Sequence, residues 1–300
     1  MDAFDTCILW YIADHLISRE SAVLEMFFNR WLPLLSGKNT FRGINVVVFI
    51  ENPYICGMKQ AMILAAGLGT RLRPYTDKMP KALVPVAGEP LLHHVIRRLK
   101  AEGFKRLIIN IHHFGEQIID DLAANHNFGL DIRISDERDL LLDTGGGIKH
   151  ATPLFEPDSP VLVHNVDILS NLNIQALYAA YEQAEDIDAA LVVSRRQSPR
   201  QLQFAPDSLR LVGWQNTQTG DQRGELGVPL AFAGIHLLSP QLFPLMASMP
   251  EKFSIITFYL NICATRQLIG YEQPVFRFMD AGKAEQLAEA DVFMKSLMTE

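Results

Sequence analysis

The pattern of apolar and polar positions changes near Met58. Before it, apolar residues at helical spacing predict an amphipathic helix over 18–32, and the apolar run 44–50 predicts a strand. After it, short apolar runs alternate with segments of helical spacing. The predicted strands are 61–65, 107–111, 130–134, 161–164, 189–194 and 232–238. The predicted helices are 91–102, 116–124, 147–152, 174–185 and 283–298. This alternation is typical of an α/β domain with a largely parallel sheet flanked by helices. The stretch 195–231 is more polar, and we expect it to be irregular.

The composition indicates a globular protein and argues against a nucleic-acid partner. The chain has 300 residues, of which 48% are hydrophobic and 20% charged, as in an ordinary globular protein. Its formal net charge is -7. Because proteins that bind nucleic acid generally have a basic balance, we expect no nucleic-acid partner.

The cysteines and the apolar runs bear on compartment. Cys7, Cys56 and Cys263 are widely spaced and form no CxxC pair, which argues against a cysteine zinc site and against a disulfide scaffold. No apolar run approaches the roughly 18 residues that a membrane-spanning helix needs. The first residues lack the basic region of a signal peptide. We therefore expect a cytoplasmic protein without a membrane partner.

A glycine-containing loop follows the first strand of the second part. Small residues there allow backbone N–H groups to approach phosphate oxygens closely, and ligands of open α/β sheets bind at the carboxyl ends of strands. The third glycine of a dinucleotide fingerprint is replaced by Leu72, and no Gly-Lys-Ser/Thr of a P-loop follows. The candidate nucleotide-binding residues of this loop are Ala65, Ala66, Gly67, Gly69 and Thr70.

Basic residues are concentrated just after this loop. Arg71, Arg73, Lys78 and Lys81 face a single acid, Asp77, so the segment carries a charge of +3 within an acidic chain. Charged donors bind phosphate more strongly than neutral ones. The segment therefore favours a polyanionic ligand such as a triphosphate, although a glycine turn beside a solvated basic face is the alternative.

Two acids stand at positions suited to a metal. Asp167 ends an apolar strand, where an unpaired buried charge is costly, and a divalent cation would compensate for it. Mg²⁺ is held by one or two carboxylates together with phosphates and waters. The alternative for Asp167 is a cap on the next turn through Ser170. Asp280 precedes the predicted helix 283–298, so it could instead serve as that helix's N-cap.

The sequence Asp-Thr-Gly-Gly-Gly at 143–147 precedes another predicted helix. Consecutive glycines permit close approach of the backbone to a ligand, or form a flexible turn. The adjacent His112 and His113 would point in opposite directions on a strand, so we expect structural roles for them.

Two runs together resemble the signature of sugar-1-phosphate nucleotidyltransferases: Leu-Ala-Ala-Gly-Leu-Gly-Thr-Arg-Leu-Arg-Pro at 64–74 and Pro-Lys-Ala-Leu-Val-Pro-Val at 80–86. The resemblance implies a Rossmann-like, GT-A-like fold whose mixed, mostly parallel sheet is flanked by helices. It covers about 58–295. We therefore expect a nucleotidyltransferase domain at 58–300, with 1–57 an N-terminal extension that is either an added element or not native.

The resemblance also implies roles for individual residues. Arg71 and Lys81 would hold phosphates and, with Asp167, form the catalytic set. Asp167 and Asp280 would bind Mg²⁺. The residues beside the base and ribose would be Thr144, Gly145 and Gly146.

The implied reaction transfers a nucleoside monophosphate from an NTP, either UTP or GTP, to a sugar 1-phosphate. The resemblance is nearest to N-acetylmuramate-1-phosphate uridylyltransferases of cell-wall recycling, with mannose- and heptose-1-phosphate guanylyltransferases as near alternatives. One departure concerns the acceptor site, since the stretch 222–227 lacks the lysine of a Glu-Lys pair, for which Arg223 or Arg200 could substitute. A regulatory module that binds nucleotide without turnover and a nucleotidyltransferase with a non-sugar acceptor are the competing hypotheses. The base, the sugar and the oligomeric state stay open.

Overall fold

The computed structural model describes residues 58–184 and 186–299. The predicted helix 18–32, the predicted strand 44–50 and the extension 1–57 lie outside the described residues. Within the described part, no helix combines the length and the apolar character that crossing a membrane requires.

One large mixed sheet forms the centre of the domain. In the described residues the strands are β1 Gln60–Leu64, β2 Pro85–Val86, β3 Glu89–Pro90, β4 Arg106–Ile111, β5 Asp131–Asp136, β6 Val161–Asn165, β7 Ile168–Ser170, β8 Ala189–Ser194, β9 Arg200–Phe204, β10 Leu211–Asn216, β11 Gln222–Gly224, β12 Val228–Leu238, β13 Leu268–Tyr271 and β14 Phe278–Asp280. The strand order of the large sheet is β11-β10-β9-β12-β6-β1-β4-β5, with β8 paired to β12 and β13 paired to β8.

The centre of this sheet is parallel, whereas one end is antiparallel. Strand β1 pairs in parallel with both β4 and β6, and β4 with β5. The long β12 runs antiparallel to β6, β8 and β9. Two short antiparallel pairs, β7 with β14 and β2 with β3, stand apart from the large sheet. The predicted α/β fold with a mixed, mostly parallel central sheet is confirmed.

Helices cover both faces of the sheet. They are α1 Leu91–Ala101, α2 Gly115–Ala124, α3 Asp143–Ala151, α4 Ile174–Gln183, α5 Ile255–Ile262 and α6 Leu287–Met298. Successive side chains of a strand point to opposite faces, and β1 shows the result. Ile63 lies in the core under α1, α2, α4 and α6, whereas Met62 lies in the core under α3 and α5. A strand buried on both faces is therefore almost continuously apolar, as β1 is from Ala61 to Leu64.

The stretch 195–231, predicted to be irregular, contains the strands β9, β10 and β11. These strands form an antiparallel extension of the sheet in which β11 is fully exposed. An antiparallel sheet can leave one of its faces in solvent. The sequence of these three strands is therefore more polar than that of the buried parallel strands. For that reason, the prediction that this stretch is irregular was wrong.

Helix α5, strand β13 and the short strands β2, β3, β7 and β14 also have no counterpart among the predictions. Helix α5 is capped by Ser254, whose hydroxyl accepts the N–H of Ile256 at 3.3 Å. Its sequence begins with β-branched residues, which are typical of strands, and it is apolar almost all round. Tertiary packing rather than helical periodicity determines this segment.

Helix α3 begins at Asp143, four residues before the predicted start. The three glycines thus lie inside the helix rather than in a turn before it. A Cβ atom on Gly146 would lie 2.3 Å from the backbone oxygen of Glu251. The glycine is required for close helix packing, since real Cβ contacts are not that short.

The variant Gly146→Ala tests this packing. Alanine exceeds glycine in helix propensity by about 1 kcal/mol, whereas overpacking a core costs about 1–3 kcal/mol. Because the obstacle is backbone, we expect Gly146→Ala to lower the free energy of unfolding by about 1 kcal/mol or more in urea titrations. His150→Ala, on the exposed side of the same helix, is the control. Equal or greater stability of Gly146→Ala would contradict the packing.

Candidate active site

Three parallel strands bring polar side chains to one edge of the sheet. Leu64 at the end of β1 is in register with Asn110 on β4 and with Asn165 on β6. Since these strands are parallel, the segments that follow them leave at the same edge. The predicted glycine loop and Asp167 therefore meet there.

The glycine loop is anchored by a buried asparagine. The backbone N–H groups of Ala65 and Ala66 donate to Oδ1 of Asn110 at 2.7 and 3.3 Å. Gly69 has a φ of 63°, and a Cβ there would lie 2.8 Å from Cγ2 of Thr76. Asn110 thus uses the N–H groups that the sequence assigned to phosphate, and the glycine allows the chain to turn into the segment that carries Arg71.

Glu137 extends this anchor to the next strand and helix. The side-chain amide of Asn110 donates to Oε1 of Glu137 at 2.7 Å, and the N–H of Leu142 donates to Oε2 at 3.1 Å. Glu137 is only 2% exposed. Burial raises the pKa of its carboxyl above the ordinary value of 4.5, while the two hydrogen bonds oppose that rise. The network joins β1, β4 and the start of α3.

Lys81 and Asp167 form an ion pair at the centre of the site. Nζ of Lys81 lies 3.0 Å from Oδ2 of Asp167, and the side chains are 15% and 8% exposed. Lys81 begins a short 3₁₀ helix, Lys81–Leu83. Its Nζ also lies 3.7 Å from the position that a Cβ of Gly67 would occupy. The predicted cation therefore lies between the glycine loop and the predicted metal ligand.

Asp167 and Asp280 are brought together by backbone pairing. Strand β14 pairs antiparallel with β7, which puts Asp280 opposite Ile168, and the N–H of Ala281 donates to the carbonyl of Asp167 at 2.8 Å. The point where a Cβ of Gly282 would lie is 2.6 Å from Oδ2 of Asp167 and 2.7 Å from Oδ1 of Asp280. The two oxygens are therefore at most about 5.3 Å apart, the sum of these distances.

Arg71 closes the same cluster. Its Nη2 lies 3.1 Å from that same point at Gly282. Three of the four residues predicted to be catalytic or metal-binding thus converge on one glycine, and the fourth, Lys81, joins them through its ion pair with Asp167. Any side chain at 282 would occupy the space on which the two carboxylates and the guanidinium converge.

A cleft of about 360 Å³ opens beside the cluster. Thr144 lines it, and the Oγ1 of Thr144 also accepts the N–H of Ile255 at 3.0 Å. Gly145 and Gly146 instead donate both N–H groups to the carbonyl of Phe253, at 2.9 and 3.0 Å. The cleft is lined by Leu64, Ala66, Gly67, Lys81, Asn110, Glu137, Leu141, Asp143, Thr144, Asn165 and Lys252.

The capping alternatives for the two aspartates do not match the geometry. Helix α6 begins at Leu287, and Oδ1 of Asp280 accepts the N–H of Gly282 at 2.8 Å rather than one from that helix. Asp167 pairs with Lys81 instead of Ser170. His112 has the structural role expected of it, because its Nδ1 lies 2.7 Å from the carbonyl oxygen of Glu137.

Sequence reasoning missed three side chains near the site: Asn110, Glu137 and Arg196. The first two follow or end parallel strands, which is the signal that identified Asp167. Arg196 lies in the connection after β8, where no motif marks it. Its guanidinium lies 4.9 Å from the ring centroid of Phe278, on the strand that carries Asp280.

Glu137 makes stability depend on pH. Because its pKa is raised in the folded protein, its contribution to stability is fully present below about pH 4.5 and is lost as the pH rises through the raised pKa. We expect Glu137→Gln, which does not titrate, to become more stable relative to the wild type between about pH 4 and pH 7. Urea unfolding at each pH measures this, with the exposed Glu285→Gln as the control for charge removal. A difference between wild type and Glu137→Gln that does not change with pH would contradict the burial effect.

Comparisons with known proteins agree with this geometry. A profile of the nucleotidyl transferase family matches residues 60–202. The chain is 35% identical to an N-acetylmuramate alpha-1-phosphate uridylyltransferase of Caulobacter vibrioides, over 71% of this chain and 87% of that relative. It is 26% identical to a mannose-1-phosphate guanyltransferase of Yarrowia lipolytica, over 79% of this chain and 65% of that relative.

A solved structure shares the fold. HddC from Yersinia pseudotuberculosis, crystallised with GMP-PN, superposes with a TM-score of 0.63 at 24% identity, covering 79% of this chain and all of that one. The fold, the cluster around Gly282 and the similarity along most of the Caulobacter relative agree with one another. The chain belongs to the nucleotidyl transferase family, and within it to the sugar-1-phosphate nucleotidyltransferases.

Proposed function

We propose that the protein transfers a nucleoside monophosphate from UTP or GTP to a sugar 1-phosphate, producing a nucleotide sugar and pyrophosphate. The observation that carries the proposal is the convergence of Arg71, Asp167 and Asp280 on Gly282, with Lys81 paired to Asp167 and lining the cleft beside them. Such a cluster fits a reaction between phosphates, because its two carboxylates can bind a metal and its two cationic side chains can bind phosphate oxygens.

The donor set fits Mg²⁺. Mg²⁺ is usually bound by one or two carboxylates, with phosphates and waters completing the octahedron. Among the described residues, no group of three or more metal-ligating side chains exists, so Asp167 and Asp280 would hold the ion together with substrate oxygens. Gly282 fits the same role because it leaves the space between the two carboxylates open. When bound, the ion would neutralise charge on the reacting phosphates.

The reaction proposed is a direct displacement. An oxygen of the sugar 1-phosphate forms a bond to the α-phosphorus, the bond from that phosphorus to the bridging oxygen breaks, and pyrophosphate leaves with the electron pair. The nucleophile is already anionic, so no side chain has to remove a proton. Arg71 and Lys81 would then orient the triphosphate and offset the negative charge of the transition state.

Binding of the nucleotide is proposed for the loop and the cleft beside it. Gly67 and Gly69 shape the loop, Thr70 begins the turn that carries Arg71, and Thr144 lines the cleft. We propose that Ala65, Ala66, Gly145 and Gly146 contribute mainly by their small size, because their N–H groups are bonded within the protein. Small residues at these positions let the loop and helix α3 approach the cleft closely.

The pair to test first is UTP with N-acetylmuramate 1-phosphate, because the Caulobacter relative carries that name and is similar along 87% of its length. GTP with mannose 1-phosphate is the second pair, supported by the Yarrowia relative. The first pair would give the protein a place in cell-wall metabolism. We propose a cytoplasmic enzyme, since NTPs and sparse reduced cysteines belong to that compartment.

Removal of the central cation tests the catalytic assignment. We expect Lys81→Met to lower turnover at least about a hundredfold, because one well-placed charge or donor contributes about 2.7–4 kcal/mol to the barrier. Pyrophosphate release with saturating substrates measures this. Lys105→Met, an exposed lysine next to the amino end of β4, should keep the wild-type rate. A near-native rate for a folded Lys81→Met enzyme would rule out the assignment.

Closing the space between the carboxylates tests the metal assignment. A methyl group in Gly282→Ala would contact Asp167, Asp280 and Arg71 at 2.6–3.1 Å. Changing a residue that positions metal ligands commonly costs about 10–100-fold in metal affinity. We therefore expect the Mg²⁺ concentration for half-maximal activity to rise at least about tenfold, with the far-ultraviolet circular dichroism unchanged. If Gly282→Ala needed no more Mg²⁺ than wild type, the carboxylate pair would not be the metal site.

A regulatory module and a non-sugar acceptor give different results. A module without catalysis would bind an NTP but release no pyrophosphate with any sugar 1-phosphate. An enzyme with a non-sugar acceptor would release pyrophosphate only with another nucleophile. A matrix of UTP, GTP, CTP and dTTP against muramate, mannose, glucose and heptose 1-phosphates separates these cases.

A further inference from the structure

The proposed function requires a cation for the phosphate of the acceptor, and the sequence provides no lysine where relatives carry one. The two arginines that could substitute for it lie on exposed positions of the antiparallel extension. Arg223 is on β11, which is an exposed edge strand three positions beyond β12 in the sheet. Arg200 begins β9 in the same antiparallel extension and is exposed.

Arg196 contacts the strand that carries Asp280. Its guanidinium packs over the ring of Phe278 at 4.9 Å, and Nη2 donates to the carbonyl of Phe232 at 3.2 Å. Phe278 and Asp280 are two residues apart on β14, so their side chains leave the same face of that strand. At about 3.3 Å per residue, the two side chains start only about 7 Å apart.

The charge of Arg196 is available to a ligand. Among the described residues, no carboxylate forms an ion pair with it, and the residue is exposed to solvent. Partial removal from water lowers the pKa of the guanidinium, whereas the charge of Asp280 raises it. The influence of Asp280 on this pKa agrees with the short distance inferred along the strand.

The neighbouring arginine, Arg195, differs in what its guanidinium contacts. Nη2 of Arg195 pairs with Oε2 of Glu272 at 2.8 Å. Arg195 is also exposed, but its charge is already balanced. Two adjacent arginines thus face different environments, and only the second faces the aromatic ring beside the proposed metal site.

The arrangement of cations around the carboxylates matches a displacement reaction. Arg71 and Lys81 belong to the loop that follows β1, next to the cleft proposed for the NTP. Arg196 instead follows β8 and contacts Phe278, which lies on β14 with Asp280. In phosphoryl-type transfer the attacking and leaving oxygens are roughly in line, on opposite sides of the phosphorus. Cations for the leaving pyrophosphate and for the attacking phosphate are therefore needed at different positions.

We propose that Arg196, held on the ring of Phe278, binds the phosphate of the sugar 1-phosphate acceptor. This inference rests on the proposed function. In relatives, a lysine before the last core strand binds the acceptor phosphate. This chain has no lysine there, and the proposal gives that role to Arg196, which follows β8. An arginine suits the task because its planar group can stack on the ring and still donate two parallel hydrogen bonds to phosphate.

The test compares Arg196→Met with Arg195→Met. Methionine keeps an apolar contact with Phe278 and removes the charge. We expect Arg196→Met to raise the KM for the sugar 1-phosphate about tenfold or more, the range for loss of a charged hydrogen bond, while the KM for the NTP stays within about twofold. Arg196→Lys should recover part of the loss, and Arg195→Met should match the wild type. Calorimetric titration with the sugar 1-phosphate measures acceptor binding without turnover.

Each result has a definite consequence. An unchanged acceptor KM in Arg196→Met, or a rise in the KM for NTP alone, overturns the proposal. A rise limited to acceptors whose sugar carries a carboxylate, with glucose 1-phosphate unaffected, also overturns it, because Arg196 would then bind the carboxylate. If the wild type releases no pyrophosphate with any pair in the substrate matrix, the proposed function itself fails. A wild type that turns over with Arg196→Met unaffected refutes only the role of Arg196.

Discussion

Two carboxylates and a guanidinium converge on Gly282, a residue without a side chain, and one of the carboxylates also pairs with Lys81. Pairing of β7 with β14 and the hydrogen bond from Ala281 to Asp167 hold the two acids side by side. Like charges so close are unfavourable unless a cation lies between or beside them. Lys81 supplies one such cation in the ion pair with Asp167, and a divalent metal would supply the other.

The parallel sheet explains why these groups meet. Loops leaving β1 and β6 emerge at one edge, and β14 is added beside β7 by a chain segment more than a hundred residues later. Asn110 and Glu137 fix the loop after β1 to the neighbouring strand and helix, at the cost of burying a carboxyl whose pKa is raised. A buried polar network of this kind is stable when every member has a partner, and here each oxygen of Glu137 has one.

Sequence reasoning reached the elements with a strong local signal. The central parallel strands β1, β4 and β6 are mostly apolar and buried on both faces, so their positions and the loop after β1 were predictable, as was Asp167 just after a strand. Glycine indicates a close approach but not which group approaches. Gly145 and Gly146 were predicted to lie beside the nucleotide, and the structure shows Phe253 and Glu251 packed against them. Their place beside the nucleotide stays a prediction. The sequence left open whether Asp280 is a helix cap or a metal ligand. Only the pairing of β14 with β7 shows that Asp280 lies beside Asp167 and before the helix. Arg196 has no local signal, since its position depends on an aromatic ring far along the chain.

The central claim is that Asp167 and Asp280 bind one divalent ion together with the nucleotide. A crystal of the protein grown with Mn²⁺ and a non-hydrolysable NTP analogue tests it through the anomalous signal of the metal. The account predicts a single peak within about 2.0–2.3 Å of an oxygen from each aspartate, close to the octahedral distances of such ions. A metal peak bound by phosphates alone, or by neither aspartate, would contradict it.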